Sequence, residues 1–234
     1  MTAEASVCKV AGAWSAPRLV DPFPIRSAPH TPVAKLLAAR DGLTLPPQVT
    51  CDSALELARL LADGAENSLP NAFLEALAKD DPYRDWKRRM PPLKDVPELR
   101  RYRNEYEKHD PAQVQNAISR YGMKLPAGQM LFHGGPWPPG EPKLGQTYTT
   151  TDVLSTSLCP QISSVHARYS NPCGELWALR VASDGACSQA FVFNNKGNQK
   201  LKHEHEVLLS SGANLQCVSI WKGKTLLLVE LELS

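Results

Sequence analysis

Residues 153–158 read Val-Leu-Ser-Thr-Ser-Leu, three hydroxyl side chains enclosed by aliphatic ones. The aliphatic flanks favour a β-strand, and strand alternation puts Ser155 and Ser157 on one face and Thr156 on the other. Hydroxyl groups in a buried strand need hydrogen-bond partners. Because serine- and threonine-rich strands are common, the segment points to a site only together with its neighbours in the chain.

Two further segments lie on either side of this strand. Residues 131–135 read Leu-Phe-His-Gly-Gly, an apolar strand that ends in His133 and two glycines. The glycines allow either a close approach of a ligand to the backbone or an ordinary turn. Residues 202–209 read Lys-His-Glu-His-Glu-Val-Leu-Leu. In a strand, Glu204 and Glu206 share one face about 7 Å apart, which is two strand rises.

The acidic pair has three interpretations. Two carboxylates side by side are unfavourable unless a cationic ligand or transition state uses them, which indicates a catalytic site. The pair also suits a solvated face of an edge strand. In the third interpretation, His203 and His205 bind a metal from the opposite face. We predict no metal, because no further ligand cluster accompanies the two histidines.

The predicted secondary structure changes near residue 125, from mostly helical before it to mostly strands after it. Residues 1–32 hold five prolines and little periodicity, which predicts an extended or mobile segment. Residues 33–124 carry helical periodicity and are predicted to form a helical lobe. Residues 125–234 are predicted to form the core that carries the three segments. The predicted helices cover residues 54–64, 70–77, 84–90, 98–108 (charged and exposed), 111–122 and 162–169; the predicted strands cover 129–133, 153–158, 175–181, 204–210, 215–221 and 225–233.

The bulk composition indicates a soluble globular protein. The 234 residues are 42% hydrophobic and 21% charged, and the net charge of +2 requires neither a nucleic-acid nor a membrane partner. We predict no membrane span, because no apolar run reaches about 18 residues. Residues 1–10 do not resemble a cleaved secretory signal. The six cysteines form no Cys-X-X-Cys pair, so we expect free, mostly buried thiols.

In this order, the three segments resemble the ADP-ribosyltransferase superfamily. The branch that they are most similar to is the bacterial toxin group, whose pattern is Arg, then Ser-Thr-Ser, then Glu-X-Glu. The resemblance covers about residues 111–234. His133 stands where the toxin group usually has arginine. A histidine there resembles the diphtheria-toxin-like branch, which has tyrosine at the place of Ser155, so the chain combines features of both branches.

The resemblance implies an α+β fold, a split β-sandwich of two small sheets around an NAD cleft, preceded by the helical lobe. NAD is the implied co-substrate, and a carboxylate stabilises the oxocarbenium-like sugar as nicotinamide leaves. Glu206 matches the catalytic glutamate, Glu204 the residue that activates the acceptor, and Ser155 the residue that orients Glu206. The implied NAD-binding residues are His133, Gly134, Ser155, Thr156, Ser157, Arg168, Tyr169 and Glu206, and the implied acceptor-recognition residues are Phe191, Phe193, Asn194 and Asn195.

The leading hypothesis is a mono-ADP-ribosyltransferase toxin or effector that modifies a protein of a target cell. Three alternatives stay open. The acceptor is RNA or DNA, which the near-neutral charge disfavours; the acceptor is water, so that NAD is hydrolysed; or the chain is a silent binding module, against which intact Ser155 and Glu206 argue.

The resemblance also bears on partners and location. Besides the target-cell protein, a chaperone or an immunity protein is an expected partner of the helical part. We expect export by a dedicated secretion machine, without a cleaved signal, and action in the target-cell cytosol. The alternative is a resident cytoplasmic protein.

Overall fold

Proline and short polar side chains set where most of the helices begin. The structure is a computed structural model that describes residues 15–45, 48–64, 68–170, 175–194 and 205–234. The side chains of Thr31, Ser53, Asp80 and Asp110 accept hydrogen bonds from backbone N–H groups of the first turn that follows each of them. The helices are α1 (Pro32–Arg40), α2 (Ala54–Ala62), α3 (Leu69–Lys79), α4 (Asp81–Arg89), α5 (Pro97–Asn104), α6 (Pro111–Tyr121) and α7 (Pro160–Ser170).

The helix predictions are confirmed for α2, α3, α4, α6 and α7, whereas α1 was not predicted. The prediction of a charged, exposed helix over residues 98–108 is wrong in two respects. The helix ends at Asn104, and a 3₁₀ turn follows at Tyr106–Lys108. In addition, Leu99 and Tyr102 are buried, so α5 has one face against the core.

Eleven strands lie in the described part of the chain, and nine of them form one mixed sheet. Short strands β1 (Ile25–Arg26) and β2 (Thr50–Cys51) pair with each other. The large sheet has the order β3-β8-β9-β6-β4-β7-β11-β10-β5. Its members are β3 (Met123–Lys124), β4 (Met130–Gly134), β5 (Thr147–Thr149), β6 (Leu154–Ser157), β7 (Glu175–Val181), β8 (Gln189–Val192), β9 (Glu206–Leu209), β10 (Asn214–Lys222) and β11 (Leu227–Leu233).

The large sheet is nearly divided between β6 and β4. These two strands share one register pair, Phe132 with Ser157, whereas β4 and β7 share five and β6 and β9 share four. The strands therefore form a four-stranded part (β3-β8-β9-β6) and a five-stranded part (β4-β7-β11-β10-β5) that meet at this junction. The predicted α+β class is confirmed, and the two predicted sheets correspond to two parts of one continuous nine-stranded sheet. Strands β3, β5 and β8 were not predicted.

Hydrophobic packing extends over both halves of the chain. The larger of two clusters of buried side chains runs from Val20 and Leu57 in the N-terminal half to Leu233 at the end of β11, and the smaller one joins Ala58 and Ala62 to Phe132, Leu176 and Leu228. Helix α2 packs against α7, β7 and β11. The change predicted near residue 125 is thus a change of secondary structure, and the apolar core continues across it.

Residues 15–32 are packed against the rest of the molecule rather than mobile. The Val20 N–H donates to Gln129 Oε1 at 2.9 Å, and Gln129 Nε2 donates to the Val20 carbonyl at 3.2 Å. Trp86 Nε1 donates to the Arg18 carbonyl at 3.0 Å. Over residues 15–24 the segment has neither helix nor strand, and its backbone is held by buried side chains. The rest of the prediction concerns residues 1–14, outside the described ranges.

Cysteines in the described ranges are free thiols, as predicted. Cys51, Cys159 and Cys217 are buried and Cys187 is exposed. Burial raises the pKa of Cys51 and of Cys159 to about 11, so both thiols stay protonated at neutral pH. None of the helices in these ranges combines the length and the apolar character needed to cross a membrane.

Candidate active site at the sheet junction

A cavity of about 220 Å³ lies where the two parts of the large sheet meet. Strands β4 and β6 line the cavity, β9 contributes Glu206, and α7 contributes the remaining side chains. The lining residues are Phe132, His133, Gly134, Ser155, Thr156, Ser157, Ile162, Ser163, His166 and Glu206. Three sequence segments that are far apart in the chain therefore contribute to one cavity.

Glu206 is the charged centre of this cavity. It begins β9 opposite Ser157 of β6, and it is 8% exposed. Ser155 Oγ donates to Glu206 Oε1 at 2.8 Å, so the hydrogen bond predicted from the sequence is present. Arg103 Nε lies 3.5 Å from Glu206 Oε2, an ion pair rather than a hydrogen bond. Two side chains from different elements thus hold the two oxygens of the carboxylate.

Arg103 was not predicted as a site residue. Its side chain is 2% exposed and extends from α5, and its guanidinium carbon lies 4.7 Å from the centroid of the Phe193 ring. The sequence contains one signal that points to it: Leu99 and Tyr102 are three positions apart, which marks an apolar face next to Arg103. The many charges of residues 98–108 obscured that face.

His133 contributes a neutral ring to the cavity. Nδ1 of His133 lies 2.7 Å from the Ser155 carbonyl. Because a carbonyl only accepts, we assign the proton to Nδ1, which leaves Nε2 as an acceptor. Burial lowers the pKa of His133, the hydrogen bond to Ser155 opposes that shift, and the charge of His166 adds to it. The ring packs against Trp177, with centroids 4.6 Å apart.

The alternation predicted for β6 is present. Thr156 Oγ1 donates to the Val207 carbonyl at 2.5 Å, on the face opposite to that of Ser155. Ser157 Oγ accepts a hydrogen bond from the Cys159 N–H at 3.0 Å. Both hydroxyls therefore have protein partners, and their roles toward NAD stay predictions.

Gly134 lines the cavity and also allows α7 to approach β4. A Cβ atom at this position would lie 2.0 Å from the Ser163 carbonyl oxygen and 2.5 Å from the Ala167 nitrogen. Only a residue without a side chain fits between these backbone atoms. The close helix–strand contact explains the glycine, and the predicted contact of its backbone with nicotinamide stays a prediction.

Arg168 and Tyr169 lie on α7 outside the cavity lining. Both are exposed, Tyr169 to 88%, and Arg168 Nη2 lies 3.5 Å from the Leu61 carbonyl on α2. The structure therefore does not bring these two predicted NAD-binding residues to the cavity.

Phe191 and Phe193 are not exposed for the acceptor-recognition role that the resemblance implies. Their side chains are 0% and 1% exposed and pack edge to face, because β8 and the residue that follows it lie inside the core. Asn194 Nδ2 donates to the Lys87 carbonyl of α4 at 3.1 Å. Glu204 and Asn195 lie outside the described residues, so their predicted roles stay predictions.

A second contact from the helical half reaches the residue next to Glu206. His205 has a φ of 46°, in the left-handed region. Its Nδ1 forms a hydrogen bond of 2.9 Å with the hydroxyl of Tyr83, a buried residue of α4. Burial raises the pKa of Tyr83, so its hydroxyl keeps its proton. Sequence reasoning missed this pair, since 122 residues separate its members.

Comparisons with known proteins find similar structures but no similar sequences. No family model matches the chain, and no curated protein matches it. The chain is similar to the Vis toxin, an ADP-ribosyltransferase from Vibrio splendidus, at 14% identity and a TM-score of 0.39, over 53% of this chain and 54% of that one.

Two further toxin components are similar. The enzymatic component C2-I of the C2 toxin from Clostridium botulinum has 14% identity and a TM-score of 0.44, over 65% of this chain and 46% of that one. The ADP-ribosylating toxin BECa from C. perfringens, solved with NADH, has 15% identity and a TM-score of 0.43, over 65% and 46%. The chain thus spans about half the length of these proteins. Bacterial ADP-ribosyltransferase toxins are among the solved structures that it resembles.

Proposed function

We propose that this protein is an NAD-dependent mono-ADP-ribosyltransferase. It cleaves the bond between nicotinamide and ribose in NAD and transfers ADP-ribose to a protein of a target cell. The observation that carries the proposal is the 2.8 Å hydrogen bond from Ser155 to Glu206 at the wall of a cavity that also contains His133. The buried carboxylate of Glu206, the hydroxyl of Ser155 that orients it and the ring of His133 come from the three separate segments of the motif.

The geometry suits a reaction that develops positive charge on a sugar. When the carbon–nitrogen bond breaks, nicotinamide leaves with the electron pair and the ribose becomes oxocarbenium-like. A buried carboxylate that is already oriented stabilises this cation more than the ground state, because it need not reorganise. We assign this role to Glu206, with Ser155 as the residue that orients it. The acceptor then forms a bond to the ribose carbon and loses a proton.

His133 fits a binding role rather than an acid–base role. As a neutral ring with its proton on Nδ1, it offers Nε2 as an acceptor for a ribose hydroxyl. The cavity of about 220 Å³ is smaller than most ligand pockets, so we assign it to the nicotinamide–ribose end of NAD, with the remainder of the dinucleotide outside.

The toxin or effector role is part of the same proposal. It rests on the resemblance of the Ser-Thr-Ser and Glu-X-Glu segments to the bacterial toxin group. We propose that the protein is exported by a dedicated machine and acts in the target-cell cytosol. Binding of a chaperone or an immunity protein stays a prediction.

Release of nicotinamide and labelling with biotin-NAD test the proposal. We expect Glu206→Gln to lower NAD cleavage about 100-fold or more, because the substitution removes the charge that faces the transition state. Glu232→Gln is the matched control, since Glu232 is an exposed carboxylate of β11 and should leave the rate unchanged. Thermal unfolding of both variants shows whether each is folded.

The lysate experiment then identifies the acceptor. A labelled protein band that Glu206→Gln abolishes supports transfer to protein. Label that nuclease removes points to RNA or DNA, and nicotinamide release without label points to hydrolysis. NAD cleavage by Glu206→Gln at the wild-type rate contradicts the site assignment.

A further inference from the structure

A buried arginine from the helical half faces the carboxylate of the proposed active site. The Arg103 side chain is 2% exposed; its Nε lies 3.5 Å from Glu206 Oε2, and its guanidinium carbon lies 4.7 Å from the centroid of the Phe193 ring. Arg103 belongs to α5, while Glu206 begins β9 and Phe193 follows β8. The contact joins the helical segment to the two strands that carry and flank the reactive carboxylate.

The fold itself does not require a charge at this place. Removing a guanidinium from water is unfavourable, and an apolar side chain of similar volume often packs as well or better. The cost is offset in part by the ion pair with Glu206 and by the face of the Phe193 ring. Because a buried ion pair is weak evidence for a stabilising role, its position on Glu206 indicates a role in the site.

Ser155 and Arg103 approach different oxygens of the Glu206 carboxylate. Ser155 holds Oε1 from β6, and Arg103 faces Oε2 from α5. Because the terminal torsion of glutamate is broad, contacts on both oxygens restrict the rotation of the carboxylate more than a contact on one oxygen does. The guanidinium of Arg103 also lies over the face of the Phe193 ring.

We propose that Arg103 is a positioning residue for Glu206, so that the helical segment forms part of the catalytic unit. This inference rests on the proposed function. Arg103 acts through the carboxylate and is not assigned a contact with NAD. Its loss therefore affects the rate of bond cleavage rather than the binding of NAD.

The test is the kinetics of NAD cleavage by Arg103→Gln. We expect kcat to fall about tenfold to a hundredfold, the range that small misplacements of catalytic groups cause, while the KM for NAD changes less than about twofold. Arg101→Gln is the matched control, because Arg101 is exposed on the same helix and should keep both constants. Arg103→Lys, which keeps the charge, should recover part of kcat and covers the case in which Arg103→Gln fails to fold.

A double-mutant cycle separates positioning from a general structural effect. If Arg103 acts through Glu206, Arg103→Gln should cause no further loss in the Glu206→Gln background. An equal fold-loss in both backgrounds overturns the inference, as does a raised KM with unchanged kcat or an unchanged rate in both Arg103 variants. If the wild-type protein does not cleave NAD, the proposed function and the inference are both overturned. If the wild-type protein cleaves NAD and the Arg103 variants cleave it at the same rate, the inference alone is overturned.

Discussion

In the proposed reaction, single side chains at the cavity have separate roles. Glu206 is the proposed source of negative charge, Ser155 and Arg103 contact its two oxygens, and His133 is the proposed neutral acceptor. The neutrality of His133 follows from its burial, because a charged ring loses more hydration than a neutral one. This environment makes His133 the residue whose titration links the site to the stability of the fold.

The lowered pKa of His133 predicts a specific loss of stability in acid. As pH falls below about 6.5, the ring protonates in the unfolded chain before it does so in the folded protein. The unfolded state then binds more protons, so the stability present above that pH is lost as pH falls through the folded pKa. We expect the free energy of unfolding in urea to drop more between pH 7.5 and 5.0 for wild type than for His133→Asn. The asparagine amide keeps a donor for the Ser155 carbonyl, and an equal drop in both proteins would contradict the prediction.

At the scale of secondary-structure elements, the cavity depends on how closely helices approach the sheet. Helix α7 packs on β4, and three of its side chains (Ile162, Ser163 and His166) line the cavity. Helices α4 and α5 approach from the other half of the chain and place Tyr83 and Arg103 beside His205 and Glu206. At the contact of α7 with β4, the absence of a side chain at Gly134 allows the close approach.

Gly134→Ala tests the contact between α7 and β4. The added Cβ meets backbone atoms of Ser163 and Ala167, which cannot turn away as a flexible side chain can. We expect the free energy of unfolding to fall by about 1–3 kcal/mol, the usual cost of overpacking, with a loss of NAD cleavage as α7 moves.

Gly212→Ala is the control for this change. Gly212 has a φ of 84° but open space around an added Cβ, so its substitution reports backbone strain without a clash. The prediction fails if Gly134→Ala is no more destabilising than Gly212→Ala in urea unfolding.

At the scale of the whole molecule, the helical half and the sheet half form one folding unit. Two hydrophobic clusters each contain side chains from both halves, and buried side chains such as Trp86 and Gln129 bind backbone groups of residues 15–32. Separation of the halves would expose apolar surface on both, which opposes the folding of either half alone because native proteins are only marginally stable.

A fragment of residues 125–234 is therefore expected not to fold on its own. It contains the Ser155–Glu206 pair but lacks α2, α4, α5 and α6, which cover the sheet and supply Arg103. We expect no cooperative thermal transition by circular dichroism and no release of nicotinamide, with the full chain as the control. A fragment that unfolds cooperatively and cleaves NAD would contradict the shared core and the positioning role of Arg103 together.

Much of the sheet could be predicted from the sequence, because strand alternation is a local property. Residues 175–181 and 153–158 are predicted strands that the structure contains as β7 and β6. Strands β5 and β8 escaped prediction, since each has at most four residues and too little pattern to stand out from a loop. The burial of Phe191 and Phe193 was missed for the same reason.

The sequence by itself determined most of the helices and the long strands, and its resemblance to a known pattern implied the pairing of Ser155 with Glu206. These follow from caps, prolines, alternation and a motif order, all of which act over a few residues or through a known pattern. Only the tertiary structure decided that Arg103 reaches Glu206 and that Tyr83 reaches His205. Such contacts depend on how α4 and α5 pack on the sheet, and local periodicity contains no information about which distant side chains a packed helix will meet.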